Sequence, residues 1–189
     1  DLERSGRTLL QATVERVAPL VGGVERVVVA TGARYVDLVR EQLPELPEGN
    51  VLVEPTGRDS GPAVALAALA VQERFGNVVM GVFASDHRVE DVPRFHEVVR
   101  AAMALAEREA GLVTIGITPR RAATAYGYLQ RGERVEGGFR LARFVEKPTR
   151  QRAERFLSEG GYLWNAGMFV WTVESILAAF EAHAPELLN

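Results

Sequence analysis

Apolar residues recur at helical spacing near the start of the chain. Leu10, Val14, Val17 and Val21 fall on one face, and Thr8 stands three residues before Gln11, the pairing of a capping box. The pattern predicts a first helix entered at Thr8. A continuous apolar run over 26–31 (RVVVAT) then reads as a buried strand, and 33–43 returns to a helical period closed by Pro44. After a strand over 51–53, Ser60 as cap and Pro62 in the first turn open an Ala-rich helix reaching Arg74. This helix is apolar nearly all round and is expected to be buried. A strand over 78–84 follows. Next come a helix over 91–109, which turns Phe95, Val99, Ala102 and Ala106 inward, and a strand over 112–117.

Strands this apolar, alternating with helices, predict an α/β fold with a mostly parallel sheet covered by helices on both faces. Beyond Pro119 the pieces shorten to 126–131, 139–146, a helix near 151–157, a segment at 168–171 and a terminal helix after Thr172. Strand directions are expected to mix there.

With 189 residues, 47% of them hydrophobic and 25% charged, the chain has the size and balance of one globular domain or a large part of one. A net charge of -3 offers no general attraction to polyanions, which argues against a nucleic-acid polymer but not against a small phosphorylated ligand. The absence of cysteine excludes disulfides and thiolate metal sites and suits a cytoplasmic protein. The longest apolar run, 63–71, is too short to span a bilayer, so no membrane role is expected. Of 22 basic residues, Lys147 is the only lysine. A compact ammonium on a flexible stem does what a planar guanidinium cannot always do.

Ligands of open α/β sheets bind beyond the carboxyl ends of the strands. Three places there carry charge: Glu54 in VLVEP, Asp86 in VFASDH, and Glu146–Lys147 in FVEKP. Asp86 can hold Mg²⁺ against phosphates or simply cap a loop. The three histidines, at 87, 96 and 183, show no zinc spacing and read as solvated or supporting groups. Glu54, followed by TGRDSGPA, can accept two N–H groups from guanine beside a helix N-terminus, or belong to a turn and a capped helix. Glu146 and Lys147 together suit a sugar phosphate, or an exposed strand edge. Asn165, in YLWNAG, can bond a sugar hydroxyl, while Trp164 reads as core.

In this order and spacing, EPTGRDSGPAVALAALA, ASDHRV, TIGITP, YGYLQRGE, FVEKP and YLWNAGMFVW resemble the mannose-1-phosphate guanylyltransferase family. The likeness runs over nearly the whole chain from LLQATVERVAPL. It implies a Rossmann-like, GT-A-like three-layer nucleotidyltransferase fold, with a nucleotide-binding half over 1–118 and a sugar-phosphate-binding part over 119–189. The implied reaction transfers GMP from GTP to mannose 1-phosphate with Mg²⁺, giving GDP-mannose and pyrophosphate; the likeness allows a homodimer. By similarity Glu54, Pro55, Arg58, Asp59 and Ser60 fall on the nucleotide-recognition segment and Asp86 on the metal-binding aspartate. Gly127 should bring its backbone close to the sugar, Glu146 matches the binder of its hydroxyls, Lys147 that of its phosphate, and Asn165 a further sugar contact.

Departures from the family pattern qualify the likeness. Family members begin with a strand and a glycine-rich loop that grips the triphosphate, and this sequence starts just downstream of that point. A second metal-binding aspartate and the family's C-terminal part lie beyond Asn189. Asp59, Ser60 and Gly61 stand where Asn, Thr and Ala are usual. The chain is therefore expected to be an incomplete catalytic domain, inactive by itself. The competing expectations are a nucleotidyltransferase for another base or sugar, which Glu54 disfavours, and a regulatory homologue without turnover, which the joint presence of Asp86, Glu146 and Lys147 disfavours.

Overall fold

The computed structural model of the chain describes residues 6–54 and 60–188. The first helix, α1 (Leu9–Val21), opens on the capping box: Thr8 Oγ1 accepts from the Gln11 N–H at 3.2 Å, and Gln11 Oε1 accepts from the Thr8 N–H at 2.9 Å. It closes on Gly22, whose φ of +85° is open to glycine at little cost. The expected strand over 26–31 begins late, as β1 (Val29–Gly32), because the carbonyls of Glu25 and Val27 are taken by the Asn50 amide at 2.8 Å each. Helix α2 (Val36–Gln42) and strand β2 (Val51–Glu54) follow, β2 parallel to β1 with Glu54 opposite Gly32. Val14, Val27, Val39, Leu43 and Leu46 form the core of this lobe.

The second sheet is built round one long strand. Helix α3 (Ser60–Phe75), β3 (Val79–Val82), α4 (Val92–Glu109) and β4 (Val113–Ile117) come first, then the hairpin β5 (Tyr128–Val135) and β6 (Gly138–Val145), α5 (Arg150–Glu159), β7 (Tyr162–Thr172) and α6 (Val173–His183). Strand β7 is antiparallel to β3, β4 and β5. Val170 is matched to Gly81 on one side and Val113 on the other, so β3 and β4 point the same way with β7 inserted between them. The parallelism expected from the strand–helix alternation is thus one of direction there, and of direct pairing only between β1 and β2 among the described residues.

Alternation along β7 sends neighbours to opposite faces. Trp171 packs with Met80, Ala68 and the α6 residues Val173, Ile176 and Leu177, while Val170 packs with Ala102 and Ala106 of α4. Helices therefore cover both faces, in three layers. Phe95, Val99, Ala102 and Ala106 are all buried, as their spacing predicts. Helix α3 departs from expectation. Only Ala65 and Ala68 are buried and Leu69 is 41% exposed, because its cover comes mainly from α6 on one side. Among the described residues no helix is long and apolar enough to cross a membrane.

Candidate functional site

Three neighbouring strands bring three of the expected residues into one row. Tyr128 is matched to Trp164 and to Val145, and all three side chains pack in the cluster under α5 with Ala153 and Phe156. One step along each strand stand Gly127, Asn165 and Glu146, whose side chains by alternation face the other way. The Asn165 N–H donates to the Gly127 carbonyl at 2.8 Å, which continues the pairing. A Cβ built on Gly127 would lie 2.9 Å from Phe144 Cζ and 3.0 Å from Glu146 Oε2, so glycine alone leaves the floor between Glu146 and Asn165 clear. The two flanking backbones are two strand spacings apart, roughly 9–10 Å.

Lys147 follows the end of β6 with φ +36°, a left-handed conformation costly for any residue with a Cβ. The turn brings its ammonium to 3.6 Å from Glu146 Oε1. Both side chains are more than half exposed, so this ion pair adds little to stability. Its effect is local: a cation is held beside the acceptor end of the row.

At the other end, Asn165 Oδ1 accepts from Thr114 Oγ1 at 2.9 Å and from the Gly167 N–H at 3.1 Å. Gly167 has φ +66°, and a Cβ there would lie 3.8 Å from His87 Cε1. His87 thus places the turn that carries Asp86, exposed after β3, against Gly167 of β7. Two buried residues of α1 hold that turn. Thr13 Oγ1 donates to the Ser85 carbonyl at 3.4 Å and Arg16 to the His87 carbonyl at 3.3 Å; the Arg16 guanidinium also meets Thr13 Oγ1 at 2.9 Å and lies 5.4 Å from the centre of the Phe95 ring. Arg16 is only 7% exposed. Arg16→Met keeps the apolar stem and removes the donors, and is expected to cost about 1–3 kcal/mol in urea unfolding; an unchanged midpoint would show that the turn does not depend on the arginine.

Glu54 is placed at the end of β2, in the separate two-stranded sheet, and Ser60 is exposed at the start of α3. Among the described residues neither a hydrogen bond nor an ion pair joins Glu54 to Asp86, Glu146 or Lys147. Pro55, Arg58 and Asp59 lie outside the described residues. The structure thus unites Gly127, Glu146, Lys147 and Asn165, sets the Asp86 turn beside them, and leaves Glu54 on its own strand end. Sequence reasoning missed Thr13, Arg16 and Thr114. Their partners lie dozens of positions away, and no local spacing signals them.

The model for nucleotidyl transferases matches residues 2–189 of this chain. A mannose-1-phosphate guanylyltransferase of Klebsiella pneumoniae is 38% identical over 188 residues, covering 96% of this chain and 39% of the relative. One from Escherichia coli K12 is 39% identical over 194 residues, with the same coverage. Among solved structures, one described as a mannose-1-phosphate geranyltransferase from Thermus thermophilus superposes with a TM-score of 0.87 at 34% identity, covering 98% of this chain and 53% of that one. Another, described as a mannose-6-phosphate isomerase from Helicobacter pylori, gives 0.83 at 27% identity, covering 97% and 69%. The chain spans about 39% of the length of the curated relatives it matches. The match runs along almost every residue, and the chain belongs to the nucleotidyl transferase family.

Proposed function

We propose that the full-length protein transfers GMP from GTP to mannose 1-phosphate, forming GDP-mannose and releasing pyrophosphate. The observation that carries this reading is the row of Glu146, Gly127 and Asn165 with the Lys147 ammonium at one end. A hydroxylated six-membered ring fits over the bare glycine, with a carboxylate to accept from its hydroxyls and an amide to meet it opposite. Lys147 then meets the sugar phosphate and lowers the repulsion between its oxygen and the triphosphate it attacks. That oxygen bonds to the α-phosphorus of GTP as the bond to pyrophosphate breaks, and no protein nucleophile is required. The names of the relatives support the choice of sugar and nucleotide.

Asp86 offers one carboxylate at an exposed turn. This fits Mg²⁺, which binds through one or two carboxylates plus substrate phosphates and keeps several waters. When bound, the ion neutralises triphosphate charge. Asp86 fixes where that neutralisation occurs, and Thr13 and Arg16 hold the backbone of the turn on either side of it. Base recognition falls to Glu54, which can accept the ring N–H and exocyclic amine of guanine; by family likeness Pro55, Arg58, Asp59 and Ser60 belong to the same recognition segment. A cytoplasmic setting fits this chemistry and the cysteine-free sequence.

The test is pyrophosphate release by the full-length protein. GTP with mannose 1-phosphate is expected to exceed ATP or UTP with the same sugar by at least about 10²-fold in kcat/KM, because a site that pairs with specific N–H groups rejects bases lacking them. Faster turnover with another nucleotide, or none with mannose 1-phosphate, would refute the proposal.

A further inference from the structure

The two hydrogen bonds at Asn165 Oδ1 decide which way its amide faces. A backbone N–H can only donate, so the group that meets the Gly167 N–H at 3.1 Å must be the amide oxygen. Thr114 Oγ1, at 2.9 Å from the same oxygen, must then be a donor as well. The amide NH₂ is turned away from both, and it has no hydrogen-bond partner among the described residues. Across the floor of Gly127 stands Glu146, whose carboxylate can only accept. The row therefore has an acceptor end and a donor end.

We propose that Thr114 is a positioning residue for the sugar phosphate: by holding Asn165 Oδ1 it commits the amide to donate to an acceptor oxygen of the bound hexose phosphate. The inference rests on the hexose-phosphate reading above. The Gly167 bond comes from the backbone and survives any change at 114. A single bond leaves the amide free to swing about it, whereas the second bond, from β4, locks it. Thr114 thus acts on the sugar through Asn165.

Thr114→Val keeps the shape and removes the donor. In the full-length protein it is expected to raise KM for mannose 1-phosphate about 10-fold, the equivalent of one ordinary hydrogen bond, with KM for GTP within about twofold. Thr114→Ser, which restores the hydroxyl, is expected to recover most of the loss. An unchanged KM for the sugar phosphate, a parallel rise for both substrates, or a serine variant as poor as the valine one would overturn the assignment. If the wild type does not turn over mannose 1-phosphate, the functional reading fails separately, and the network is still measurable without substrate. The carboxyl introduced by Asn165→Asp, followed by NMR titration, is expected below the ordinary aspartate range because two donors favour its charged form, and to rise when Thr114→Val is added. Ordinary titration in both backgrounds would count against the proposal.

Discussion

Lys147→Ala in the full-length protein is expected to lower kcat/KM for mannose 1-phosphate by on the order of 10²–10³-fold, the range seen when one preorganised charge-stabilising group is removed. Folding should hardly change. The side chain is 68% exposed and its ion pair with Glu146 is screened by water, so unfolding free energy should stay within about 0.5 kcal/mol of wild type. Lys147→Gly sharpens the test, because φ +36° costs any residue with a Cβ about 1–2 kcal/mol. The glycine variant is expected to be as inactive as the alanine one and up to about 1 kcal/mol more stable than it. Lys147→Arg should recover only part of the activity, since a planar fork cannot sit where a compact ammonium does. A near-normal rate for the alanine variant would remove Lys147 from the mechanism.

Asp86→Asn is the second large effect. Asparagine keeps the size and the turn but gives up the negative charge that makes a carboxylate oxygen a ligand for a hard cation. The turn should stay in place, because Thr13 and Arg16 hold the backbone carbonyls of Ser85 and His87 rather than the Asp86 side chain. The expected outcome is a fall of about 10²-fold or more in kcat, with the magnesium concentration for half-maximal rate shifted upward. Loss of rate without any change in magnesium dependence would assign Asp86 to another task.

Features set by near neighbours were legible in the sequence. The Thr8–Gln11 box, the stripe Phe95, Val99, Ala102 and Ala106, and the strand-end positions of Glu54 and Glu146 all depend on periodicity and local hydrogen bonds, whereas the strand expected over 78–84 stops at Val82 and leaves Asp86 in the turn beyond it. Features set by distant partners were not. The segment expected at 168–171 is only the second half of β7, which begins at Tyr162 because β4 and β5 pair with residues 162–165. Arg16 looks like an ordinary exposed helix residue until Phe95 and the His87 carbonyl are seen to enclose it. Nothing in FVEKP marks the left-handed backbone of Lys147. The grouping of Gly127, Glu146 and Asn165 was expected from family likeness, and its geometric basis, cross-strand register, became visible only in the sheet.

The place of β7 also bears on how the polypeptide comes off the ribosome. Among the described residues β3 and β4 hydrogen-bond to no strand but β7, which is made some eighty and fifty positions after them. Until residues 162–172 emerge, the pairings that β7 gives to β3 and β4 cannot form, and an apolar strand still waiting for a partner is exposed to mispairing with other chains. Closing the sheet thus waits on long loops, which slows folding and gives a chaperone its period of work.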